Sequence, residues 1–139
     1  MSLVQWNIRG LYSNFEQIRI FFKEHDIVAI CLQEIKLGNV TPNLGHSYAF
    51  YRSPPLPGVR AQGGSGIIVS KSVNHRVVNI NTVLQASAIQ IFTTKWITLC
   101  SLYLEPALEN RLKDDSGNSR HLQLNDLQCL IDQLPQLSF

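Results

Sequence analysis

The 139-residue sequence predicts a layered α/β sandwich built as one domain. Three observations lead there. Two apolar runs, at 3–7 and 27–33, flank a segment with helical periodicity. Four or five short runs rich in β-branched residues then follow, with one more helical pattern after them. Apolar residues make up 45% and charged residues 16%, a composition that can bury a core and is unlike a disordered chain.

The first run, Leu3-Val4-Gln5-Trp6-Asn7, reads as a strand. Ser13 followed by Glu16 matches a capping box, in which each side chain reaches a backbone amide of the other's turn. Phe15, Ile18, Phe21 and Phe22 then recur at helical spacing, which predicts an amphipathic helix over 14–24. His25-Asp26 breaks it, and 27–33 is a continuous apolar run suited to a buried strand. Parallel strands joined by a helix place their carboxyl ends on one edge of a sheet, so this β-α-β unit would bring Asn7 and Glu34 together.

The remaining elements are shorter. Thr41 to Gly45 reads as loop, Ser47–Tyr51 as an aromatic strand, and Pro54, Pro55, Pro57 and Gly58 as an exposed turn. Strands are expected over 66–70, 76–84, 88–93 and 96–104, with Thr94-Lys95 as a tight hairpin. Asp114-Asp115-Ser116-Gly117-Asn118 reads as a mobile tip in the polar stretch 105–121. Leu127, Leu130, Ile131 and Leu134 form an i, i+3, i+4, i+7 stripe for a final helix that Pro135 ends. Leu137-Ser138-Phe139 reads as the start of another strand.

Charge is unevenly distributed. Between Glu34 and Glu105 there is no acidic residue, while Lys36, Arg52, Arg60, Lys71, Arg76 and Lys95 fall in that interval. Such a stretch either leaves part of the surface positive, as a polyanion partner requires, or reflects strands that carry few charges. Beyond residue 100 the balance reverses to three bases and six acids. The start has no basic region followed by an apolar one, so it does not read as a signal peptide, and no apolar stretch nears the roughly 20 residues that span a bilayer. Cys31 and Cys100 lie in apolar runs, Cys129 lies far from both, and no zinc-type spacing exists among them. Buried free thiols in a reducing, intracellular compartment are the expected reading.

Three residues could carry chemistry. Glu34, closing the run 27–33, suits magnesium, which prefers oxygen ligands and often takes one or two carboxylates from the protein. It equally suits a solvated strand-end carboxylate paired with Lys36. Asn7 is an oxygen donor beside that carboxylate, or an amide satisfying the turn at Gly10. Tyr103, near the end of the run from Trp96, can place a hydroxyl on phosphate, or serve as a core residue with its tip in water. Gly63-Gly64-Ser65-Gly66 fits neither the Walker nor the dinucleotide pattern and reads as a tight turn or bulge entering a strand. The four histidines are scattered without metal-ligand spacing.

Taken in order, Trp6-Asn7-Ile8-Arg9-Gly10-Leu11, Leu32-Gln33-Glu34-Ile35-Lys36, Gly63-Gly64-Ser65-Gly66-Ile67-Ile68-Val69 and Ser101-Leu102-Tyr103-Leu104-Glu105-Pro106 resemble the motif order of the endonuclease/exonuclease/phosphatase (DNase-I-like) superfamily. The wording is most similar to the N-terminal endonuclease domain of jockey-like non-LTR retrotransposon polyproteins, which opens with W-N-I-R-G-L and continues with L-Q-E-T-K. The resemblance implies a DNase-I-like sandwich of which 139 residues hold the first half to two-thirds. It implies catalytic roles for Asn7, Glu34 and Tyr103, Mg2+ or Mn2+ held by Glu34 with Asn7, and weaker substrate contacts from Lys36 and Arg9. The implied reaction is hydrolysis of a DNA phosphodiester, a nick that primes reverse transcription by an adjoining reverse transcriptase domain, in the nucleus.

The sequence also departs from that family. A Gly-Asp-Phe-Asn-like strand and a terminal Ser-Asp-His, which supply the water-orienting and base residues, do not occur. Glu105, Pro106 and Ala107 stand where relatives often have Pro-Asn, and Arg9 stands where some carry an acid. The expectation is therefore a fragment inactive by itself. The alternatives are a non-enzymatic relic that at most binds nucleic acid, or a phosphoesterase acting on lipid or inositol phosphates. Apolar faces of strands 88–104 are expected to be open to self-association.

Overall fold

The apolar run Ile27–Gln33 becomes β2, and six of its seven residues are buried because protein covers it on both faces. The computed structural model describes residues 1–40, 42–54, 63–104 and 119–135, with side chains in the last segment described from Leu124 onward. Before β2 come β1 (Ser2–Asn7), a 3-10 turn (Tyr12–Asn14) and α1 (Phe15–Glu24). After it come β3 (Tyr48–Arg52), β4 (Ser65–Ser70), β5 (His75–Val77), β6 (Gln85–Phe92), β7 (Trp96–Tyr103) and α2 (Ser119–Gln133).

One sheet runs β1-β2-β4-β3 and the other β5-β6-β7. β1 and β2 are parallel, as a helical crossover requires, and all other described pairs are antiparallel. The layers are helix, sheet, sheet, helix. Ile18 of α1 packs with Ile8, Leu11, Ile30, Leu32, Ile35 and Ile68 on the outer face of the first sheet. Val28, Ala29, Ile67 and Val69 meet Ile89, Ile91 and Leu99 between the sheets. Leu130 and Leu127 of α2 cover Leu84, Ala86, Cys100 and Leu102 on the outer face of the second. This is the sandwich expected from the sequence.

Several local expectations are corrected. Ser13 is not a helix cap: it lies in the 3-10 turn and its hydroxyl donates to Gly10 O at 3.3 Å, while Asn14 takes the N-cap position without a side-chain cap bond. The strand expected over 76–84 is only His75–Val77, because Asn79, Asn81 and Thr82 alternate with apolar residues that find no continuous partner strand. The strand expected from Ala88 begins instead at Gln85, whose small neighbours Ala86 and Ser87 fit between layers. Ile131 is 50% exposed, so the stripe of α2 narrows to Leu127, Leu130 and Leu134. β6 is buried from Gln85 to Ile91. Among the described residues, the openness expected for 88–104 is confined to half-buried β7 and to Phe92 and Leu104.

The β6–β7 hairpin closes as expected, with Phe92 opposite Trp96 and the Thr93 amide donating to Lys95 O at 3.0 Å. No described helix is long and apolar enough to cross a membrane. The turn at 55–58, the Glu105-Pro106-Ala107 stretch, the tip at 114–118 and the strand start at 137–139 lie outside the described residues.

Candidate active site

Where β1 and β2 end side by side, Asn7 lies opposite Gln33, and neighbouring strands are about 4.8 Å apart. The chains do not diverge there. Beyond the strands the Ile8 amide donates to Gln33 O at 3.0 Å, Gly10 to Glu34 O at 2.8 Å and Leu11 to Ile35 O at 2.9 Å. On the other side Lys36 donates to Gly63 O at 2.9 Å and Ile35 to Gly64 O at 3.4 Å. Three loops are thus laced together at one edge of the sandwich. The Asn14 side chain pins the first of them, donating to Ile8 O at 2.9 Å and Gly10 O at 3.0 Å.

This lacing holds an unusual backbone. Arg9, Glu34 and Lys36 have φ of 51°, 54° and 52°, the left-handed region that costs a non-glycine residue roughly 1–2 kcal/mol. Gly63 and Gly64, at φ 63° and 88°, adopt the same region without that penalty. They make the tight entry to β4 that the sequence suggested.

Each candidate residue reaches this edge from a different strand. Asn7 ends β1 and is exposed; Glu34 follows β2 and is half-buried; Tyr103 ends β7 and is half-buried. A Cβ placed on Gly63 would come within 2.7 Å of both the Tyr103 ring and Gln85 Oε1, so the tyrosine packs directly on the loop that holds Lys36. Lys36 and Arg9 stand exposed on two of the laced loops. The Glu34–Lys36 ion pair that would have accounted for both charges is not formed. Ion pairs among the described residues join the N-terminus to Asp26 and Arg19 to Glu16.

The five described bases of the acid-free interval do not form one surface. Lys36 and Arg52 lie toward the Glu34 edge, Arg52 pairing opposite Gly66 and donating to Val40 O at 3.0 Å. Burial lowers the Arg52 pKa, yet such a group stays charged. Lys71, Arg76 and Lys95 follow or flank the opposite strand ends, and Arg76 stacks 4.1 Å over Trp96. Arg60 lies outside the described residues.

Three residues at or beneath the edge drew no role from sequence. Gln33, buried beside Glu34, accepts from Gln5 Nε2 at 2.7 Å and donates to Ser101 Oγ at 3.1 Å. Ser101 donates in turn to Leu32 O at 2.7 Å, fastening the second sheet under the first. Two polar residues inside apolar runs were the available signal. Gln85, whose Oε1 accepts from the Gly64 amide, had none, since it fell between the strands expected over 76–84 and 88–93.

The donor set can be tested against a metal ion. Glu34 offers a carboxylate and Asn7 an amide oxygen, both hard ligands, next to a positively charged lysine and arginine rather than further acids. Among the described residues no three His, Cys, Asp or Glu side chains come together. Those residues fit a cation that keeps most of its water and meets the protein through one or two oxygens, and they do not fit a protein-caged one.

The profile of the Endonuclease/Exonuclease/phosphatase family matches residues 4–127. Solved structures share the fold. The endonuclease domain of TRAS1, a telomere-specific non-LTR retrotransposon, is 18% identical with a TM-score of 0.58, covering 84% of this chain and 52% of its own. The AP endonuclease LMAP from Leishmania major is 18% identical with a TM-score of 0.57, over 86% of this chain and 46% of its own. The 3'-5' exonuclease NExo from Neisseria meningitidis is 14% identical with a TM-score of 0.60, over 94% and 51%. This chain spans about half the length of those structures. No curated protein matches it by sequence. Matched over most of its length and folded as these nucleases are, the chain belongs to the endonuclease/exonuclease/phosphatase family.

Proposed function

We propose that this chain is the N-terminal part of a metal-dependent, DNA-nicking phosphodiesterase domain of the non-LTR retrotransposon type. The observation that carries the reading is the delivery of Asn7, Glu34 and Tyr103 to one laced, left-handed edge from three strand ends. Likeness of fold to the TRAS1 endonuclease domain supports the retrotransposon type.

In this reading Glu34, with Asn7 beside it, holds Mg2+ or Mn2+. A bound ion supplies Lewis acidity and neutralises charge developing on the phosphate. Tyr103 donates its hydroxyl to a non-bridging phosphate oxygen and so binds the charge that grows in the transition state. Lys36 and Arg9 attract and orient the DNA backbone. The nick leaves a 3′ end that an adjoining reverse transcriptase extends, which places the action in the nucleus.

The 139 residues contain no Gly-Asp-Phe-Asn and no Ser-Asp-His, so no side chain near Glu34 is assigned to activate water. Absence of a general base alone lowers rate by about 10²–10⁴-fold. The chain by itself therefore nicks negligibly, and what it retains is a metal and phosphate seat. Its half-buried β7 edge makes self-association the competing fate of that surface.

Relaxation of supercoiled plasmid in Mg2+ tests this. The chain alone should leave the plasmid as supercoiled as Glu34→Ala does. Relaxation by the wild type that Glu34→Ala abolishes would show a complete site and overturn the incomplete-site reading.

A further inference from the structure

Glu34 and Lys36 sit in a backbone conformation that persists only when neighbours over-determine it, so the chain of contacts that holds them is itself informative. On one flank the loop 34–36 is held by Gly10 and Leu11. On the other it hangs from the carbonyls of Gly63 and Gly64. Those two glycines have the widest conformational freedom of any residue and adopt positive φ, so something must in turn fix them. The side chain that does so comes from the second sheet. Gln85, buried at the first position of β6, accepts the Gly64 amide through Oε1 and lies against Gly63 together with the Tyr103 ring. Gln85 and Tyr103 are cross-strand partners on β6 and β7, so the two form one rigid wall.

We infer that Gln85 is a positioning residue for Glu34: through Gly63-Gly64 it transmits the location of the second sheet to the loop carrying the carboxylate. It touches neither substrate nor metal in this role. Its amide fixes where Gly64 stands, Gly63 and Gly64 fix Lys36 and Ile35, and these fix the residue before them. Tyr103 and Glu34 are thereby referenced to the same wall, although they belong to different sheets. The metal arm of this inference rests on the role proposed for Glu34; the positional arm does not.

The test is amide hydrogen exchange and Mn2+ binding on the 139-residue chain. Gln85→Met keeps length and removes the acceptor. It should speed exchange at Gly64, Ile35 and Lys36 by roughly 10-fold or more, and leave the β2–β4 amides of Ile30 and Ile68 unchanged. Mn2+ affinity should fall by about 10-fold, the usual effect of losing an outer-shell partner. Gln85→Glu restores an acceptor oxygen and should restore slow exchange. Unchanged exchange at Ile35 and Lys36, or a uniform rise across all strands, overturns the inference, as does altered exchange with unaltered Mn2+ affinity where wild type binds Mn2+ more tightly than Glu34→Ala. If wild type binds no more Mn2+ than Glu34→Ala, the metal reading fails, and exchange still decides whether Gln85 sets the loop. Should Gln85→Met not fold, Gln85→Asn carries the same test, being polar but one methylene too short to reach Gly64.

Discussion

The two ends of the sandwich close their strands with different backbones. At the end where β1, β2 and β7 finish, Arg9, Gly10, Glu34, Lys36, Gly63 and Gly64 all have φ between 51° and 111°. At the opposite end, the β4–β5 turn at 71–74 and the hairpin at 93–95 turn without any positive φ. The far end needs only to reverse direction, and ordinary turns suffice. The near end must keep three chains in contact beyond their sheet while holding polar side chains outward. Left-handed residues do that at a cost in stability, and the lacing hydrogen bonds offset it. Among the described residues every non-glycine positive φ lies at this end, and the loop entering β3 at the far end turns left-handed only at Gly45, a glycine that carries no such penalty.

The contrast can be broken at its glycines. Gly63→Ala should be the most damaging, by about 2–4 kcal/mol, combining left-handed strain with overpacking against Gln85 and Tyr103. Gly45→Ala, at φ 79° with nothing within 4 Å of a Cβ, carries the strain alone and should lose about 1–2 kcal/mol. Equal losses in urea unfolding would mean that the Gly63 contact contributes nothing.

A smaller effect of opposite sign sharpens the same point. Lys36→Gly relieves a φ of 52° on an exposed residue and should raise stability by up to about 1 kcal/mol. Thr94→Gly, in the far hairpin, relieves nothing and should lower it by about 0.5 kcal/mol. A destabilised Lys36→Gly chain would contradict the claim that this edge is strained.

The smallest effect concerns pH. Burial, and then the neighbouring Cys100, push the Cys31 thiol up from 9.0 to about 11; burial also raises Cys100. The unfolded chain therefore releases the Cys31 proton first, and stability is intact below pH 9 and lost progressively between pH 9 and about 11. Cys31→Ala should lose less stability over that window than wild type. At neutral pH, exposed Cys129 should react with a thiol reagent well before Cys31 and Cys100.

What could be read from sequence followed from periodicity. The run 27–33 and the stripe of Phe15, Ile18 and Phe22 dictated a β-α-β unit, and that unit alone forces Asn7 and Glu34 onto one edge. Tyr103 required more, since nothing local tells which way β7 faces. What escaped were contacts between distant segments. Gln85 gains its meaning only when β6 slides beneath Gly64, and Ser101 only when it meets Gln33 from 68 residues away. The capping box failed for a related reason: the 3-10 turn that starts at Tyr12 moved the helix start to Asn14, whose side chain is used to hold the loop at Ile8 and Gly10.

Glu34 and Asn7 are proposed to form a seat for a hard cation. Manganese binding followed by electron paramagnetic resonance tests it most directly, with wild type and Glu34→Ala compared at matched thermal stability. A single weak site in wild type, weakened at least about 10-fold in Glu34→Ala, is the expected result. Indistinguishable binding by the two chains would contradict it.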